Sequence, residues 1–192
     1  AFIMPFINAL GYDVFNPLEV VPEMTCDIAM KKGEKIDYAI MKEGEPILLI
    51  ECKHWAQDLN LHDNQLIRYF NVSKAKFGLL TNGIIYRFYT DLDSPNKMDD
   101  DPFLTINILD VRENQVPELK KFSKSVFDID SIFSTASELK YVHESLRNNW
   151  IPLRMTLFAF SSKAATLAQK HKMLLKNSVL SFGKPSMTSS VR

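Results

Sequence analysis

Two turn signals, each set between apolar runs, constrain this chain most. Lys35–Lys42 (KIDYAIMK) and Pro46–Lys53 (PILLIECK) read as strands on either side of Glu43-Gly44-Glu45, with Gly44 supplying the turn. Lys76–Thr81 (KFGLLT) and Ile84–Tyr89 (IIYRFY) flank Asn82-Gly83, a dipeptide that favours tight hairpins because both residues tolerate positive φ. Between them, residues 62–74 put Leu66, Tyr69 and Phe70 at helical spacing. Residues 1–10 read as an apolar helix ended by Gly11, and Pro17 and Pro22 break up residues 12–33. After an acidic loop at Asp91–Pro102, Phe103–Leu109 reads as a strand, and Val116–Ser125 and Asp130–Asn148 as helices. The pattern predicts an α/β fold: a central mixed β-sheet flanked by helices, with a helical C-terminal extension.

Composition sets outer limits. The 192 residues are 46% hydrophobic and 24% charged, which excludes a disordered polyelectrolyte or a collagen-like repeat. Two cysteines, Cys26 and Cys52, make no disulfide framework and fit a reducing compartment. No run approaches the roughly 20 apolar residues that span a bilayer. The first residues carry no basic segment and no small-residue cleavage site, so no signal peptide is read and a cytoplasmic protein without a membrane role is expected. The chain also lacks an initiator Met, so residues upstream of Ala1 are expected.

The first hairpin gathers the chemistry. Alternation along a strand puts Glu51 and Lys53 on one face, about 7 Å apart. A three-residue loop from Glu43 to Glu45 pairs Lys42 with Pro46 and hence Asp37 with Glu51; a slip of one residue would turn Asp37 away. Two carboxylates and a lysine at the end of the apolar run Ile47–Ile50 are costly unless compensated. A divalent cation compensates them. Mg²⁺ takes oxygen ligands, with Mn²⁺ as a substitute, and Asp37, Glu51 and the Cys52 backbone carbonyl offer three. Lys53 would orient the attacking water and help to deprotonate it, for hydrolysis of a phosphodiester.

This D-x(n)-E-x-K arrangement resembles the PD-(D/E)xK nuclease superfamily, whose restriction-endonuclease-like core has a leading helix and the same alternation of strands. Gln65 and Tyr69, at i and i+4, add a Q-x-x-x-Y spacing. With PFINALGYDVFNPLEVVPE, KGEKIDYAI, LLIECK, QLIRYF and FGLLTNGIIYRFYTDL, the chain resembles the N-terminal nuclease domain of type I restriction enzyme R subunits over roughly residues 2–145. The resemblance implies a Mg²⁺-dependent DNA endonuclease. Asp37 and Glu51 would hold metal, Lys53 would be catalytic, and Gln65 and Tyr69 would position DNA or the site. An acid on the first helix often completes such a site; none lies between Ala1 and Leu10, and Glu19 and Glu23 are the accessory acids in its place. DNA is the implied substrate, and modification and specificity subunits the implied partners. No Walker A pattern marks a helicase motor. The alternatives are an inactive relic that serves as a DNA-binding or protein-interaction module, or a stand-alone defence or repair nuclease.

Other clusters read as ordinary surface. Cys52-x-His54 lacks further zinc ligands at sensible spacing. Asp99-Asp100-Asp101 lacks EF-hand spacing. Lys120, Lys121 and Lys124 fit a solvated helix face as well as a phosphate contact.

The expected organisation is a nuclease core at 1–112, a helical extension at 113–150 and a tail at 151–192. Residues 1–150 hold 16 Lys/Arg and all 23 Asp/Glu, a net of −7, whereas residues 151–192 hold 7 basic residues and no acid. Ile151–Lys163 (IPLRMTLFAFSSK) has codon choices under which a shifted frame reads DPLADDFVRFLVK, similar to the family's continuation. A frameshift near Trp150 is therefore the expectation for this basic tail, to be checked by reading the gene.

Overall fold

A computed structural model describes residues 2–25, 34–59, 65–148 and 169. The chain divides into two compact units after Val142. In the second unit, residues 143–148 and 169 are helical; the rest of the basic tail, with the proposed frame change, lies outside the described residues.

The first unit opens with α1 (Ile3–Ala9), ended by Leu10 and by Gly11 at φ +89°. Six strands follow: β1 (Val20–Met24), β2 (Ile36–Lys42), β3 (Glu45–Cys52), β4 (Phe77–Thr81), β5 (Ile85–Tyr89) and β6 (Leu104–Asn107). They form one sheet in sequence order, antiparallel at every step except β3–β4. That parallel step requires a crossover, which carries α2 (Gln65–Val72). A 3₁₀ turn at Glu113–Gln115, α3 (Val116–Lys120) and a helical segment over 129–142 complete the unit.

Each sheet face has its own core. One joins Ile7 of α1, Phe122 and Ile132 to Ile40, Leu48, Ile50, Phe77, Leu79, Tyr86 and Phe88. The other packs Leu66, Tyr69 and Phe70 of α2 onto Ala39, Leu49 and Leu80. Burying side chains of this size is worth about 1.5–3 kcal/mol each. β4 (FGLLT) is buried throughout, as expected of a central strand covered on both faces. Gly78 allows that cover: a Cβ there would stand 2.9 Å from Met98 Sδ and 3.4 Å from Leu66 Cδ2.

Four local features differ from the sequence expectation. β1 was not expected, because Pro22 and Glu23 spoil its pattern; as the edge strand it tolerates proline. The first hairpin has a two-residue turn, with Lys42 opposite Glu45 instead of Pro46. Glu43 at φ +54° and Gly44 at φ +82° give the type I′ pattern, whose twist matches the strands. In the second hairpin Thr81 pairs with Tyr86, so the turn centres on Gly83-Ile84. Asn82 serves it from outside, its Oδ1 accepting from the Ile84 and Ile85 N–H groups at 3.1 and 2.9 Å. α3 stops at Lys120, short of Ser125, where i→i−3 bonds tighten the chain and Lys124 N–H turns away to Leu10 O.

Candidate functional site

The site lies at the open end of the β2–β3 hairpin. Tyr38 pairs with Ile50, and one step further along the strands Asp37 stands across from Glu51. Ala39 and Leu49, paired with each other, both pack in the core beneath α2. Alternation therefore puts Glu51 and Lys53 on that same face. Ile36 packs in this core as well as Ala39, so regular alternation does not carry through Asp37, which stands at the strand end beside the Cys52 N–H. A β-bulge between Ile40 and Met41 is what restores this register. The tight turn alone would shift the pairing by one residue, and the extra residue on β3 shifts it back. Ile47 and Leu48, consecutive in sequence, accordingly both reach the α1-side core.

Asp37 Oδ2 accepts the Cys52 N–H at 2.6 Å, closing the ladder where the backbone pairing ends. Glu51 is 3% exposed. Its Oε1 accepts from Lys53 Nζ at 2.7 Å; its Oε2 is buried with no hydrogen-bond partner among the described residues. Burial is the main influence on this carboxyl and pushes its pKa above the usual range. Lys53 opposes that through its hydrogen bond, Asp37 adds to it by like charge, and Lys53 and Arg68 oppose it by opposite charge. Burial, then Asp37 and Glu51, push the Cys52 thiol up to about 12, so it stays protonated. Cys52, the source of the proposed carbonyl ligand, ends β3.

Gln65 and Tyr69 both lie on α2, over this face of the sheet. Gln65 is half-buried at its first residue. Tyr69 is fully buried in the core, and its hydroxyl donates to the Glu34 backbone carbonyl. Arg68 grips the Glu34 carboxylate side-on with one edge of its guanidinium, Nη2 to Oε1 at 2.7 Å and Nε to Oε2 at 3.1 Å. Adjacent residues of α2 thus hold both the backbone and the side chain of Glu34, three positions before Asp37. Sequence reasoning missed this clasp. The available signal was Arg68 inside the Q-x-x-x-Y span, with Glu34 just ahead of a strand.

The accessory acids lie elsewhere. Glu19 accepts from Asp13 N–H and Asn16 Nδ2, each at 3.0 Å, and pairs with Lys124 Nζ at 2.8 Å. It sits beside Met41, Lys42 and Ile47, at the turn end of the hairpin, where it braces the entry to β1. Glu23 falls between the pairs Pro22–Tyr38 and Met24–Ile36, across β1 from Asp37 by register. Its backbone, however, is left-handed (φ +48°), and its carboxylate is 72% exposed and bound to Lys35 Nζ at 2.7 Å. Neither acid is brought to the Asp37–Glu51 pair. Among the described residues no group of three His, Cys, Asp or Glu side chains is placed to hold a metal ion. No helix among them is long and apolar enough to cross a membrane.

Fold and site together define an α/β domain with paired carboxylates and a lysine at the end of a central hairpin. Residues 15–97 match the family model described as Type I restriction enzyme R protein N terminus, the resemblance read from the sequence. That segment holds Asp37, Glu51, Lys53, Gln65 and Tyr69. No curated protein and no solved structure matches the chain.

Proposed function

We propose that this unit has a restriction-endonuclease-like core and is a Mg²⁺-dependent DNA endonuclease of the type I restriction-subunit kind. The observation that carries the reading is Glu51: a buried carboxylate opposite Asp37, one oxygen on Lys53 and the other without a hydrogen-bond partner among the described residues. An orphaned buried oxygen of this kind is costly and suits a metal ligand. Asp37, Glu51 and the Cys52 carbonyl would hold a divalent cation, with water completing its shell. Bound there, the cation would lower the pKa of water and neutralise charge on the scissile phosphate.

The chain's own residues supply the rest. Lys53, 30% exposed at its side chain, reaches from Glu51 towards solvent, where it would orient the attacking water and offset negative charge at the phosphorus. Asp37 is fixed by the Cys52 N–H, so the two carboxylates keep their spacing. Arg68 and Tyr69 hold the strand that carries Asp37, and Gln65 stands at the first residue of the same helix to contact DNA. The substrate would be DNA, and the partners the modification and specificity subunits of a restriction system.

The absence of a third gathered acid among the described residues favours a second reading, an inactive relic that binds DNA or protein. One assay separates the two. Supercoiled plasmid is incubated with Mg²⁺ or Mn²⁺ and the parent, Glu51→Ala or Lys53→Ala. Metal-dependent nicking lost in both variants supports the nuclease, and cutting that survives both overturns the site. Binding without cutting supports the relic.

A further inference from the structure

We infer that Trp55 is a stacking platform for an unstacked nucleobase of DNA held at this site; the inference rests on the nuclease reading and extends it to a base-binding contact. Trp55 is 67% exposed, two residues beyond Lys53. An exposed indole is no signal by itself. Here its backbone is fixed while its ring, tilted 43° against the His54 ring at 5.7 Å between centroids, keeps most of its surface exposed. His54 N–H donates to Gln57 Oε1 at 3.1 Å, Gln57 N–H to His54 O at 2.9 Å, and Ala56 N–H to His54 Nδ1 at 3.3 Å. The Trp55 carbonyl accepts from Asn82 Nδ2 at 3.1 Å, tying the turn to the β4–β5 hairpin. Further along, Leu59 is buried and its carbonyl accepts from Arg87.

The position suits a nucleobase. Trp55 stands past the C-terminal ends of the parallel strands β3 and β4, where open α/β sheets bind ligands. Phe2, 62% exposed, lies against Gly83 of the hairpin that holds the Trp55 carbonyl. Two exposed aromatic rings therefore flank one turn, and one of them stands two residues beyond the lysine proposed to meet the phosphate. A base stacks on an aromatic face whatever its identity, so this contact would secure the strand without reading its sequence. It would favour DNA with a base already out of the helix, since unstacking costs free energy.

The test uses the full chain carrying Trp150→Phe, which leaves Trp55 as the sole indole of the two in the sequence. Without divalent metal, oligonucleotides that are single-stranded, fully paired, or paired with one extruded base are titrated while Trp55 emission is followed. Saturable quenching is expected, strongest with the single strand and the extruded base. Trp55→Ala should weaken their binding about tenfold and Trp55→Phe far less. Unquenched emission on binding, or unchanged affinity in Trp55→Ala, overturns the inference. Binding needs no cleavage, so the two proposals fail separately. Quenching without metal-dependent cutting removes the nuclease reading alone, and cutting that depends on Glu51 without any Trp55 effect removes the platform alone.

Discussion

Lys53 Nζ lies 2.7 Å from Glu51 Oε1, while the other carboxylate oxygen of Glu51 is buried without a hydrogen-bond partner among the described residues. Half of this carboxylate is satisfied and half is not. The pair is therefore poorly built for stability, and on the reading proposed above the unsatisfied half is where a cation would bind.

A first prediction concerns pH. Burial raises the Glu51 pKa, so the folded chain keeps this proton to higher pH than the unfolded chain does. Between the two values the folded state binds the extra proton, and stability falls as pH rises through that window. Glu51→Gln cannot ionise and escapes the loss. At pH 7, without metal, it should be more stable than the parent in urea unfolding. The difference should close below the usual carboxylate range.

Divalent metal should reverse that order. Mg²⁺ or Mn²⁺ bound only to the folded state at one hundred times its dissociation constant adds about 2.7 kcal/mol by mass action. Thermal unfolding of the parent should shift upward with either ion. Asp37→Asn and Glu51→Gln should abolish the shift.

The α2 clasp gives a prediction that separates shape from charge. Arg68→Ala removes two hydrogen bonds to Glu34 and should cost about 1–2 kcal/mol in urea unfolding, the pair being partly exposed. Arg68→Lys keeps the charge but cannot form the fork, and should recover little of that stability. Both should slow cleavage through looser placement of Asp37, and added Mg²⁺ should restore part of the rate in both.

Glu19 should prove dispensable for chemistry. Its carboxylate is engaged by Lys124, Asp13 and Asn16 at the far end of the hairpin. Glu19→Gln should leave metal-dependent cleavage within about twofold of the parent, because it touches no transition-state contact. A loss like that of Glu51→Ala would return Glu19 to the site.

The sequence carried the Asp37–Glu51 pairing for a reason that it did not contain. A three-residue loop and regular strands bring these residues together on paper. The chain reaches the same pairing through a two-residue turn and a bulge, two offsets of one residue that cancel. Apolar alternation fixes which face a strand buries, and that much was legible at Leu49 and Ile50. A bulge leaves little trace when, as at Ile47 and Leu48, both residues are apolar. β1 was hidden for a related reason: an edge strand with Pro22 and Glu23 lacks the usual pattern. Glu19 and Glu23 qualify as accessory acids by residue type alone, and their positions depend on turn geometry that composition does not encode. The Arg68–Glu34 clasp joins residues 34 positions apart, beyond any local spacing rule.

The central claim is that Asp37 and Glu51 share a divalent cation. Crystals of the full chain soaked in Mn²⁺ and measured at the manganese absorption edge test it most directly. An anomalous peak in contact with both carboxylates, on the Oε2 side of Glu51, is the predicted result. A map at saturating Mn²⁺ with no peak between them, in crystals that diffract well enough to show both side chains, would contradict it.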